Sequence, residues 1–327
     1  MANPNIRMGL QIPSFTYPGV SAGDLFERIS DIAATAEESG FDSVFVMDHF
    51  YQLPMIGRPE ENMFEAYTLL SALAACTDTV RLGCMVGGMT YRNPAVLAKT
   101  VSCLDVISKG RAIWGIGAGW FEKEHDEYGI EFGSFSDRFE KLEEGLQIAK
   151  SMFVNDTTTF DGKWFQVKDA LNVPKPIQAG GPPVLIGGSG ERKTLRMVAQ
   201  YADACNVFGD AEQVRHLMGV LDEHCERIGR NKADICRTKL ATLCVGRTME
   251  EAQKKLSARL GGASIDSLPA DIQARVKAFI VGDADEVGAN VRALLDAGLD
   301  GVVCNMPDAF DLEAVELAGS ALSKVFA

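Results

Sequence analysis

Asp48 and His49 stand side by side, directly after the apolar run Ser43–Met47, in a chain of 327 residues. Histidine is the side chain whose ordinary titration falls nearest neutral pH. His49 could therefore transfer a proton there, with Asp48 accepting a hydrogen bond from a ligand hydroxyl or amide. The plainer reading of the pair is a helix cap beside a satisfied loop histidine. A second constellation is built of glycine. Gly187, Gly188, Ser189 and Gly190 follow the apolar run Val184–Ile186 and precede a helical pattern carrying Leu195, Val198, Ala199 and Ala202. Backbone amides at a helix N-terminus suit a phosphate, to which Ser189 adds a hydroxyl and Arg192 a charge. The plainer reading here is a tight strand-to-helix turn that needs positive φ.

Two further stretches place bare backbone after a buried run. In Cys84-Met85-Val86-Gly87-Gly88-Met89, the paired glycines would let a flat ligand lie against the main chain; a bulge or bend is the alternative. In Ala112–Ile116 followed by Gly117-Ala118-Gly119, the same reasoning offers a second floor for a ring. Trp120, Glu122, Glu124, His125 and Tyr128 come next. If 121–128 is helical, His125 and Tyr128 share one turn and could reach a phosphate. Glu122 and Glu124 read as a solvated helix face, and the three tryptophans as core or rim packing.

The elements that must position these groups alternate regularly. Eight strands are expected at 6–12, 43–47, 80–86, 112–116, 184–186, 204–207, 240–245 and 301–304, mostly apolar on both faces, as in a covered parallel sheet. Helical stripes separate most of them. Leu25, Ile29, Ile32 and Ala36 end at Gly40; Asn93 and Pro94 start a stripe of Leu97, Val101 and Leu104; Asp283 and Glu286 form a capping-box pattern before Val287, Val291 and Leu294. The segments at 40–46, 201–207 and 298–304 echo one another as helix end, Asp, then strand. Eight β-α units favour a (β/α)₈ barrel over an open doubly wound sheet. The reading is one domain over 1–327, with insertions near 155–183, containing a hairpin that turns at Asp161-Gly162, and near 248–279, a candidate mobile cover.

Composition narrows the function. The chain is 46% hydrophobic and 24% charged, with a formal net charge of −13. That charge argues against nucleic-acid or anionic-membrane partners. Eight cysteines with no C-x-x-C pair point to reduced core residues in a cytoplasmic protein, and four scattered histidines leave no metal-site spacing. No apolar run approaches a membrane span, and the N-terminus reads as lacking a signal peptide. The Rossmann, Walker and nucleophile-elbow motifs are missing.

Taken together, Gly40–His49, Leu82–Gly83 with Tyr91–Pro94, Gly115–Glu124 with Tyr128-Gly129 and Arg138-Phe139, and Pro183–Gly190 with Ala202-Asp203 resemble the luciferase-like superfamily of flavin and deazaflavin enzymes. Within it, the chain is most similar to the coenzyme F-420-dependent oxidoreductases. The resemblance implies a (β/α)₈ TIM barrel with the ring in its C-terminal mouth. It implies a non-prolyl cis peptide at Met85–Val86, a phosphate loop at Gly187–Gly190, and an Asp48-His49 pair that contacts the ring and assists proton transfer. It also implies hydride transfer between the deazaflavin C5 and a small organic substrate, and a homodimer. An FMN-dependent monooxygenase and a non-catalytic cofactor-binding barrel are the alternatives. In the deazaflavin sugar-phosphate dehydrogenases a glutamate stands where this chain has Ala118, which counts against that activity here.

Overall fold

The computed structural model describes residues 3–327. Its strands in chain order are β1 (Met8–Ile12), β2 (Ser43–Val46), β3 (Arg81–Cys84), β4 (Gly87–Gly88), β5 (Ala112–Gly117), β6 (Thr157–Asp161), β7 (Gln166–Leu171), β8 (Val184–Gly187), β9 (Ala204–Val207), β10 (Cys236–Val245), β11 (Ile280–Gly282) and β12 (Gly301–Asn305). Parallel pairing runs from β1 through β2, β3, β5, β8 and β9 to β10, then to β12, which pairs back onto β1. The ring closes as an eight-stranded barrel, and the helices surround it.

Alternation along each strand sorts the core into two shells. Ile6, Phe45, Met85, Ile113, Leu185, Ala204, Cys236 and Val303 fill the interior. Their neighbours in sequence, such as Val44, Trp114, Ile186 and Val302, face outward into the larger cluster beneath the helices. Caps act where the sequence places them. Asn93 Oδ1 accepts from the amides of Ala95 and Val96 at the start of the helix Pro94–Ile107. Asp283 accepts from Asp285 and Glu286, but its box stays half-formed because no return bond from Glu286 is made.

Two differences from the sequence reading have simple causes. β10 begins at Cys236 rather than Leu240, because Arg237, Thr238 and Lys239 mask the strand. The Lys239 stem is buried against the helical shell and its Nζ donates to the carbonyl of Ala278 at 2.9 Å. β11 is a three-residue strand on the end of β10, too short for any periodicity to reveal. The antiparallel hairpin β6–β7 follows the helix Phe135–Val154, with residues 162–165 forming its turn. Residues 248–279 contain the helices Met249–Arg259 and Ala270–Lys277.

Candidate active site

Asp48 and His49 leave β2 at its C-terminal end, and their side chains part company. Asp48 is buried and turns toward the β3–β5 side. Its Oδ2 accepts from Arg92 Nη1 at 2.7 Å and from the Gly88 amide at 3.3 Å, while its Oδ1 accepts from Arg92 Nη2 at 2.9 Å. Arg92 also bonds Glu65 and lies 4.9 Å over the Tyr67 ring. Burial opposes the Arg92 charge, but Asp48 and Glu65 outweigh it and hold the guanidinium above its ordinary pKa. Asp48 thus ties the 87–92 segment to the barrel rim.

His49 turns the other way. Its Nδ1 lies 2.9 Å from Glu124 Oε2, and its ring meets Trp120 and Phe121 edge-on at 5.8 and 5.9 Å. Nε2 has no hydrogen-bond partner among the described residues. Glu124 has no exposed surface. Its Oε1 accepts the amides of Phe50 and Tyr51 at 2.7 and 2.9 Å, and its Oε2 also accepts the Tyr91 hydroxyl at 2.6 Å. Burial pushes the Glu124 carboxyl up, yet the bonds from His49, Tyr91 and the backbone prevail, and its pKa lies below the ordinary carboxylate value.

Between β3 and β4 the Met85–Val86 peptide is cis. Met85 points into the barrel, and its carbonyl accepts from Gln11 Nε2 at 3.0 Å. Val86 rests on bare backbone. A Cβ on Gly187 would fall 2.9 Å from both Val86 methyls, and one on Gly117 would fall 3.1 Å from Cγ2. A Cβ on Gly115 would sit 1.8 Å from the Cys84 carbonyl oxygen. These glycines therefore make room for the Met85–Val86 bulge. Val86 is thus the side chain seated over the bare backbone of Gly117 and Gly187. Gly87 lies under Asp48, and Ala118 is half-buried at the end of β5.

Gly187–Gly190 leads from β8 into the helix Thr194–Tyr201. Gly188 has φ of 126°, a conformation that a side chain would resist. Its amide donates to the Asn206 carbonyl, and Ser189 Oγ accepts from the Phe208 amide at 2.9 Å. The loop is rigidly tied to β9 and open to the mouth.

His125 corrects the sequence reading. It is wholly buried, with Nδ1 on the Phe121 carbonyl at 2.9 Å and Nε2 on Thr90 Oγ1 at 2.7 Å. Both nitrogens are occupied, so it clamps the 119–125 turn to the 87–92 segment and cannot hold a phosphate. Tyr128 is exposed and packs its ring on Phe50 at 4.6 Å.

The model of the family described as luciferase-like monooxygenase matches residues 6–301. The chain belongs to the luciferase-like monooxygenase family. A glucose-6-phosphate dehydrogenase of Kineococcus radiotolerans described as F-420-dependent is 30% identical over 303 residues, covering 86% of this chain and 87% of that protein. Among solved structures, the coenzyme F-420-dependent tetrahydromethanopterin reductase of Methanopyrus kandleri is 20% identical, with a TM-score of 0.79 over 98% of this chain and 99% of that one. An EDTA monooxygenase from Chelativorans is 16% identical, with a TM-score of 0.82 over 98% and 94%. These two likenesses establish the luciferase-like TIM-barrel fold.

Within this luciferase-like barrel, sequence reasoning missed Arg92 as the partner of Asp48, Glu124 as the partner of His49, and a set of buried carboxamides. Glu124 reads as solvated because its helix, Glu122–Tyr128, is charged nearly all round. The carboxamides Gln11, Asn206 and Asn305 sit buried at the C-terminal ends of β1, β9 and β12. Asn305 Nδ2 donates to Gln11 Oε1 at 2.7 Å, and Asn206 Nδ2 donates to Thr238 Oγ1 at 2.9 Å. Polar residues that end otherwise apolar strands were the signal available for them.

Proposed function

We propose that this chain is a coenzyme F-420-dependent oxidoreductase that moves hydride between the deazaflavin C5 and a small organic substrate in the barrel mouth. The observation that carries the reading is His49: a nearly buried imidazole at the mouth, anchored through one nitrogen, with the other left without a protein partner. The residues present fit the cofactor. Met85, Val86 and Gly87 form the wall on which the ring would rest, supported by Gly117 and Gly187. Gly187, Gly188, Ser189 and Gly190 would hold its phosphate. Ala118 would border the ring without adding charge, and Asp48 would act by fixing Gly88 and Arg92 beneath it. When bound, the cofactor supplies the hydride chemistry. The chain's own part is to bind, to exclude water and to move the substrate proton at His49 Nε2. The sugar-phosphate activity named for the relative is not adopted, because Ala118 brings no carboxylate to the mouth.

The test is to follow oxidised and reduced deazaflavin absorbance with a panel of alcohols, carbonyls and activated alkenes, alongside His49→Ala. Turnover by the native protein and its loss in the variant, on the order of 10²–10⁴-fold, is the expected result. A His49→Ala protein with full turnover would remove the assignment.

We also propose a cytoplasmic homodimer. Its support is eight free cysteines and an apolar strip on which Val96 and Ile107 are exposed. Both lie on one face of the helix Pro94–Ile107, beside exposed Leu171 and Val173. Asn172 holds that segment to the helix through Ser102 Oγ at 2.8 Å. Light scattering that returns the monomer mass of 35.3 kDa would reject the dimer.

A further inference from the structure

We propose that Glu124 is the positioning residue for His49, fixing the neutral imidazole with its proton on Nδ1 so that Nε2 is the basic atom offered to the substrate. The inference rests on the assignment of His49 above and assigns an atom-level role to a residue that the sequence reading placed in solvent.

The hydrogen-bond inventory of Glu124 forces the tautomer. An ionised carboxylate accepts and never donates. Its Oε1 is filled by the Phe50 and Tyr51 amides, and its Oε2 by the Tyr91 hydroxyl and His49 Nδ1. Nδ1 must therefore be the donor, and the lone pair of the neutral ring lies on Nε2. The group is wholly buried, so no water competes for either oxygen. The same carboxylate stabilises the imidazolium that forms once Nε2 takes a proton, the logic of a carboxylate–histidine pair. The bound deazaflavin would supply the hydride chemistry, and the part of this chain is to take the substrate proton at Nε2. In the reverse direction Nε2 returns the proton. This chain thus brings its buried carboxylate from the helix Glu122–Tyr128 to the back of the histidine, whereas Ala118 at the end of β5 brings none.

Glu124→Gln separates tautomer control from packing. The two backbone donors on Oε1 require an acceptor, so the amide oxygen of the new side chain must take that place. Its NH2 then faces His49 Nδ1, which must accept, and the ring proton moves to Nε2. The expected results are His49 nitrogen NMR shifts of the Nδ1–H tautomer in the native protein and of the Nε2–H tautomer in E124Q, deazaflavin Kd within a few-fold, and kcat reduced on the order of 10²–10⁴-fold. With four histidines in the chain, a His49→Ala spectrum assigns the resonance. Native His49 in the Nε2–H form overturns the proposal without any variant, as does E124Q with native kcat. The NMR arm needs no cofactor. If the tautomer changes as expected but no deazaflavin turnover is found, the proposed function falls and the Glu124–His49 pairing stands.

Discussion

Replacing Arg92 with methionine tests how the mouth is held together. Methionine keeps the stem and deletes both charge-assisted bonds to Asp48, at 2.7 and 2.9 Å. The Asp48 side chain is only 1% exposed, so its carboxylate would be left with the Gly88 amide at 3.3 Å and almost no water. Breaking a buried pair from one side costs about 3–5 kcal/mol, most of it the penalty of the stranded charge. Losing the contact with the Tyr67 ring adds about 0.5–1 kcal/mol, partly offset by the apolar thioether. With an m-value of roughly 3 kcal/mol/M for a chain of this size, the urea midpoint should fall by about 1–1.7 M. Adding Asp48→Asn removes the stranded charge and should restore about 2 kcal/mol or more. An Arg92→Met loss below about 1 kcal/mol, or a double variant no more stable than the single one, would refute this account of the pair.

Gly187→Ala would put a methyl 2.9 Å from both Val86 methyls, in a backbone conformation alanine accepts. It should destabilise by about 1–3 kcal/mol and weaken deazaflavin binding on the order of tenfold, read by calorimetry; unchanged affinity would detach Val86 from the cofactor wall. Glu37 receives the Asp78 and Val80 amides and the Thr79 hydroxyl. Burial raises its pKa, but these bonds prevail and lower it from 4.5 to about 2. The folded pKa is the lower one, so the stabilisation is present above the unfolded value and is lost as pH falls from about 4.5 to about 2. Glu37→Gln should therefore be less stable than the native chain at neutral pH, with the gap closing as pH falls toward 2. A gap that is constant from neutral pH down to that value would show that the carboxylate does not stabilise the loop.

The eight barrel strands were legible because runs such as Val184–Ile186 and Ala204–Val207 are apolar on both faces, a pattern that only a covered parallel sheet demands. The glycines were legible as sites of close approach, but not what approaches them: Val86 lies far from Gly187 in sequence, and the sequence carries no record of the contact. The same limit hid the partners of the Asp48-His49 pair. Arg92 and Glu124 reach it across 44 and 75 residues. Helix 122–128 spans two turns, too few for a hydrophobic stripe to show which face is buried, so Glu124 read as solvated and His125 as available to a phosphate.

The central claim is tested most directly by titrating the protein with deazaflavin and with FMN while following ring fluorescence, then adding the substrate panel. The account predicts saturable deazaflavin binding, no comparable FMN binding, and substrate-dependent change in the deazaflavin spectrum that His49→Ala abolishes. Tight FMN binding with none of the deazaflavin would contradict it.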